Sequence, residues 1–174
     1  MFEKYYSLSS PEELKAYLLP YLQMVKHVCH SFDIDLNSSN FSGDHLGVQV
    51  LDANEFENVS EMLSKYSTKV KDNLIHERRF RIFKLNTPLD IDGVVILDVE
   101  IFEPKPGADL SKLKPGIEHV SFRVSDYDGF FFFFYLRKVP IGKSNQIGKS
   151  KLVKTRFLNL VEVEFRNDSL SEIA

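Results

Sequence analysis

Four side chains in this sequence have the types and spacing to hold a divalent cation: His45, His119, Glu100 and Glu164. The histidines lie in matching heptapeptides, Asp44-His45-Leu46-Gly47-Val48-Gln49-Val50 and Glu118-His119-Val120-Ser121-Phe122-Arg123-Val124. Position by position both read acid, His, aliphatic, small, apolar, polar, Val. The glutamates form a second echo, Val99-Glu100-Ile101-Phe102 against Val163-Glu164-Phe165-Arg166. Imidazole nitrogens give affinity for Zn²⁺, Mn²⁺, Fe²⁺ or Ni²⁺, and carboxylates offset the ion's charge. Two His and one carboxylate leave coordination positions open for water or a chelating substrate.

The elements that must position these groups are strands. Apolar residues alternate at period 2, so Leu46, Val48 and Val50 share one face and His45, Gly47 and Gln49 the other. Val120, Phe122 and Val124 repeat the apolar face; His119, Ser121 and Arg123 repeat the polar one. Glu100 shares a face with Asp98 and Phe102, and Glu164 with Glu162 and Arg166. The chain thus repeats a unit that opens on a strand with a polar-face His and closes on a strand with a polar-face Glu. A pseudo-twofold axis between two such units would bring all four residues to the centre. Gln49, Ser121, Arg123 and Arg166 would then orient an anionic substrate or steady the ligands. Strict alternation sends Asp44 and Glu118 to the apolar side, so each is expected at a strand end as a cap or backbone anchor.

Around these strands the chain reads as α+β. Ser10-Pro11-Glu12-Glu13 is a helix start, with Ser as N-cap and acids in the first turn. Leu14, Tyr17, Leu18, Tyr21, Leu22, Val25 and Val28 then predict an amphipathic helix over 11–32. His27 and His30 lie three apart on it, with no third ligand near, and read as a solvated face. A strand over 44–51, a helix over 54–66, a hairpin of 70–75 and 80–85 with His76 in its turn, and a strand over 94–102 give β-α-β-β-β. Pro and Gly between 104 and 116 punctuate the chain. A second unit comes after them: a strand over 118–125, a helix over 127–139, and closing strands over 154–158 and 160–166. Asp168 to Glu172 reads as a short terminal turn. The expected divisions are an N-terminal helical extension (1–43), a first βαβββ module (44–103), a linker (104–117) and a second βαβββ module (118–174), all in one compact domain.

Composition narrows the classes. With 43% hydrophobic and 27% charged residues the sequence is that of a globular protein. A net charge of -3 gives no general attraction to nucleic acid or to an anionic membrane. Residues 137–156 hold seven Lys or Arg and no acid. No stacking aromatics interleave with those charges, so a mobile hairpin or lid is expected there and no nucleic acid partner. Gly142-Lys143-Ser144 and Gly148-Lys149-Ser150 miss the phosphate-loop spacing by one residue. The run of aromatics from Phe130 to Tyr135 covers a whole helix circumference, which implies burial on several sides, against a second copy in a homodimer. The longest apolar run is too short to span a bilayer. The single cysteine, Cys29, and the charged N-terminus lead us to expect a cytoplasmic protein without a secretory signal.

Paired β-α-β-β-β units with a His on each first strand and a Glu on each last strand resemble the vicinal oxygen chelate superfamily, which includes glyoxalase I, extradiol dioxygenases and bleomycin-resistance proteins. Within it, Asp44-His45-Leu46, Ile82-Phe83-Lys84-Leu85 followed by Pro88, Val99-Glu100-Ile101, Gly116-Ile117-Glu118-His119 and Ser169-Leu170-Ser171-Glu172-Ile173 resemble the YecM-like branch over about residues 10–173. The resemblance implies an open, cup-shaped mixed sheet around a divalent metal, with an additional N-terminal helix. It implies His45, His119 and Glu164 as ligands, and Glu100 as a fourth ligand or general base. It further implies a small oxygen-chelating substrate and isomerase, lyase or dioxygenase chemistry. The same fold also serves as a metal-free module that binds a small molecule or a partner; its mark would be Glu164 paired with Arg123 or Arg166. Fold alone does not choose between these.

Overall fold

The computed structural model describes residues 11–75, 77–113, 115–147, 149–158 and 161–170. The expected positions Ser10, His76, Ser171 and Glu172 lie outside them. Helix α1 (Pro11–His30) comes first, then β1 (Phe41–Gln49), α2 (Ala53–Ser64), β2 (Ser67–Ile75), β3 (Arg78–Ile91) and β4 (Val94–Phe102). After a 3-10 turn at Leu110–Lys112 come β5 (Gly116–Val124), α3 (Tyr127–Arg137), β6 (Lys143–Ile147), β7 (Ser150–Phe157) and β8 (Val161–Arg166).

The eight strands form one mixed sheet in the order β2-β3-β4-β1-β5-β8-β7-β6. Strand β1 runs parallel to β4 and antiparallel to β5, and β5 runs parallel to β8. The two βαβββ halves therefore meet through their first strands, and the order reads the same outward from that seam. Each His strand is flanked by the Glu strand of its own half. Gly47 lies beside Glu100, and Ser121 beside Glu164.

Local sequence explains the helices between. Asp52 caps α2, its side chain accepting from the Glu55 amide at 2.9 Å, while Glu55 reaches back to the Leu51 amide. Asp126 caps α3 by accepting from Gly129 at 3.0 Å. The apolar sheet face packs on the helices. Phe165 of β8 sits 4.8 Å from Phe130 and 5.5 Å from Phe134 of α3, ring centre to ring centre. Burial of a side chain this large contributes roughly 1.5–3 kcal/mol. From α1, Tyr21 donates its hydroxyl to the Glu162 carbonyl at 3.1 Å, which ties the helix to the strand that carries Glu164.

The segment 137–156, expected as a mobile hairpin or lid, holds the end of α3 and a β-hairpin, β6 and β7, and this hairpin is paired into the sheet through β8. Its place in the sheet is hidden in sequence because both strands are polar on their exposed sides. Within this chain helix α3 buries Tyr127, Phe130 and Phe134 in one stripe and leaves Phe132, Tyr135 and Leu136 exposed. Strand β1 also starts at Phe41, earlier than residue 44, because Phe41 packs on Phe130 and pairs with Val124.

Candidate metal centre

His45 and His119 meet at the β1/β5 seam. Both are buried, and their Nε2 atoms are 3.3 Å apart with the rings nearly perpendicular. The other nitrogen of each ring is held by the preceding acid. Asp44 Oδ2 lies 2.8 Å from His45 Nδ1, and Glu118 Oε2 lies 3.2 Å from His119 Nδ1. This fixes both rings with Nε2 pointing inward.

The backbone makes this possible by breaking alternation twice. Gly43 pairs with Phe122 and Leu46 with Val120, so β1 carries an extra residue at Asp44-His45. Gly47 pairs with His119 and Val48 with Ile117, so β5 carries its extra residue at Glu118. A bulge re-aims neighbouring side chains. Each acid thereby reaches the imidazole beside it instead of capping a strand end, which corrects the expectation for Asp44 and Glu118. Asp44 also accepts from the Leu170 amide at 3.0 Å and so does anchor backbone, that of the C-terminal segment.

Glu100 completes a triad: one donor atom each from His45, Glu100 and His119 lie within 4.8 Å of one another. Glu164 is also close, 3.9 Å from each Nε2 through different oxygens. Its carboxylate, however, is shared with Arg166 Nη1 at 3.4 Å, Ser121 Oγ at 3.4 Å and Lys154 Nζ at 3.6 Å. Burial pushes this carboxyl up, but His119, His45, Lys154 and Arg166 outweigh it and hold it below the usual carboxylate range. At Glu118, burial is likewise outweighed, by His119, Lys154 and Arg78, and the group is pushed down to about 2.

The other expected polar residues lie around this cluster and beyond it. Arg166 is 5% exposed and directed at Glu164 and Asp168. The Nε of Arg123 lies 4.0 Å from Asp44. Gln49 stands at the end of β1, level with Phe102 and beyond the cluster.

Sequence reasoning missed Gly47 and Lys154. A Cβ on Gly47 would lie 2.0 Å from His119 Cε1, so only glycine leaves the ring its place. The small residue shared by both heptapeptides was its signal. Lys154 had none, because its approach to the site depends on strand register. Phe102 forms a wall, stacked on His119 with ring centres 6.2 Å apart, and Arg78 caps Phe102 at 4.4 Å.

The donor set suits a divalent ion. In the tautomers in which Asp44 and Glu118 accept from the two Nδ1–H groups, both Nε2 atoms present lone pairs to each other, and lone pairs opposed at 3.3 Å call for a cation or a proton between them. The spacing is close to the roughly 3.4 Å between two nitrogens bound tetrahedrally at Zn–N distances of about 2.0–2.1 Å.

Solved structures place this architecture. The structural-genomics protein EC4020 superposes with a TM-score of 0.74 at 14% identity, over 99% of this chain and 96% of that one. A methylmalonyl-CoA epimerase in complex with methylmalonyl-CoA and NH4+ gives 0.55 at 18% identity, over 74% and 94%. The methylmalonyl-CoA epimerase of Mycobacterium tuberculosis gives 0.53 at 17%, over 72% and 86%. No curated protein matches the sequence. The fold is that of the vicinal oxygen chelate superfamily. Residues 11–128 match the model of the YecM protein family, and the chain belongs to that family.

Proposed function

We propose that this YecM-family protein binds one divalent metal ion between His45 and His119 and uses it on a small ligand with two adjacent oxygens. The observation that carries the reading is the pair of inward Nε2 atoms, each fixed by an acid at Nδ1. A bound Zn²⁺, Mn²⁺, Fe²⁺ or Ni²⁺ would supply Lewis acidity to the ligand's oxygens. His45 and His119 would hold it, with a carboxylate from Glu100 or Glu164. The carboxylate left unbound would then be available as a general base toward the ligand. Phe102 and Arg78 would shield one side of the cup from water. The methylmalonyl-CoA epimerase neighbour holds a small-molecule thioester, which fits a small-molecule role for the cup. The class of reaction this supports is isomerase, lyase or oxygenase.

A second reading has its own observation. The Lys154 ammonium is 3.4 Å from His119 Nδ1. If it donates there, His119 Nε2 carries the proton and bonds to His45, and Glu164 is satisfied by Arg166. That is a metal-free binding module. Water-proton relaxation of Mn²⁺-loaded protein separates the two. In the metal reading, the protein raises the relaxivity of Mn²⁺ above that of the free aqua ion, oxalate lowers it by displacing bound water, and His45→Ala shows no enhancement. No enhancement over free Mn²⁺ in the wild type favours the metal-free module.

A further inference from the structure

Among the described residues the sheet carries two overlapping clusters of possible cation ligands that share His119: His45–Glu100–His119 and Glu118–His119–Glu162. The second cluster already holds a cation, the Lys154 ammonium. Its Nζ lies 3.2 Å from Glu162, 3.4 Å from His119 Nδ1, 3.6 Å from Glu164 and 3.8 Å from Glu118. Strand register puts it there: Lys154 pairs with Glu164, which pairs with Ser121. The next row outward is Arg156–Glu162–His119.

We propose that Lys154 is a tethered counter-cation that limits this centre to one metal ion and assigns Glu100, not Glu164, as its carboxylate ligand. The inference rests on the metal reading above. A second divalent ion among Glu118, His119 Nδ1 and Glu162 would have to release the Nδ1 proton to water, and it would meet a fixed positive charge within about 4 Å, where repulsion is strong in a partly buried site. The same charge, with Arg166, satisfies Glu164. Glu100 makes no hydrogen bond or salt bridge among the described residues, and Arg78 acts on it through its charge, so its oxygens remain available. Lys154 thus acts as a positioning residue: it holds one acid away from the ion and fills the neighbouring cluster.

The test is Zn²⁺ stoichiometry and affinity by titration with a competing chromophoric chelator. It is applied to the wild type, Lys154→Met, Lys154→Arg, Glu100→Gln and Glu164→Gln, each checked for folding by circular dichroism. The proposal expects one ion in wild type and Lys154→Arg, and two in Lys154→Met or at least tenfold tighter binding of the first. It expects Glu100→Gln to lose at least tenfold in affinity and Glu164→Gln to lose less than threefold. One ion of unchanged affinity in Lys154→Met, or loss with Glu164→Gln and not Glu100→Gln, overturns it. If Lys154→Met does not fold, the two glutamine variants decide. If the wild type binds no Zn²⁺, the metal reading fails and the proposal fails with it; if the wild type binds one ion and the variants depart as above, only the proposal fails.

Discussion

His45 and His119 oppose their Nε2 atoms at 3.3 Å, and each ring is fixed from behind by the acid one residue earlier in the chain. A repeated dipeptide, acid then His, becomes a repeated device because a β-bulge turns both of its side chains toward the same site. Single substitutions can break either half of that device separately.

Gly47→Ala should displace the His119 ring, since the added methyl would lie 2.0 Å from Cε1. Overpacking of this kind costs roughly 1–3 kcal/mol. The expected outcome is a folded, less stable protein with at least about tenfold weaker metal binding, as for a lost orienting partner. Thermal unfolding and metal titration on the same sample check it. Unchanged metal affinity would show that the ring is free to move.

Asp44→Asn should weaken metal binding about 10–100-fold, by leaving His45 without its anionic partner. Asp44 is fully buried and also accepts from Leu170, whereas the Glu118 side chain is 31% exposed. Glu118→Gln should therefore lose less. The ratio of the two metal dissociation constants is the measurement, and an equal or reversed ratio would contradict the assignment of Asp44 as the stronger anchor.

The fold and the opposed histidines were legible in the sequence, because period-2 alternation and the doubled heptapeptide both report on strands. The acids were visible but assigned to the wrong place. Alternation is a rule for regular strands, and the bulges at Asp44-His45 and Glu118 break it where the site is built. Lys154 and Glu162 were not legible as partners. Their meeting with His119 depends on the pairing of β7 with β8 and β8 with β5, which no single strand encodes. Residues 137–156 read as a mobile hairpin or lid, and the lysines of β6 and β7 obscured the pairing of that hairpin into the sheet.

Cys29 lies in the core with no exposed surface, and burial pushes its thiol up to about 12. The native protein should react with Ellman's reagent at pH 8 only as fast as it opens, and at once in denaturing urea. Rapid stoichiometric reaction without denaturant would show that α1 is not packed on the sheet as described.

Acid should remove one contribution to stability at the edge of the fold. Arg79 donates to Glu103 Oε1 at 2.6 Å, and this bond, against some burial, holds the Glu103 carboxyl below its usual value. A lowered folded pKa stabilises the protein above the ordinary carboxylate pKa of about 4.3, and that stability is lost as pH falls through the folded value. Arg79 is 36% exposed, so screening limits the effect to under about 1 kcal/mol. Glu103→Gln should lower the melting temperature at pH 6, and the gap to wild type should close toward pH 3. A gap that persists at pH 3 would point to packing instead of charge.

Whether the opposed imidazoles hold a metal ion is tested most directly by elemental analysis. The sample is protein purified without chelator or affinity-tag metal, beside His45→Ala and His119→Ala. The expected result is about one transition-metal ion per chain, lost in both variants. No metal in the purified protein, and no uptake of added Zn²⁺, Mn²⁺, Fe²⁺ or Ni²⁺, would contradict the metal reading and leave a proton shared between His45 and His119 as the account of their contact.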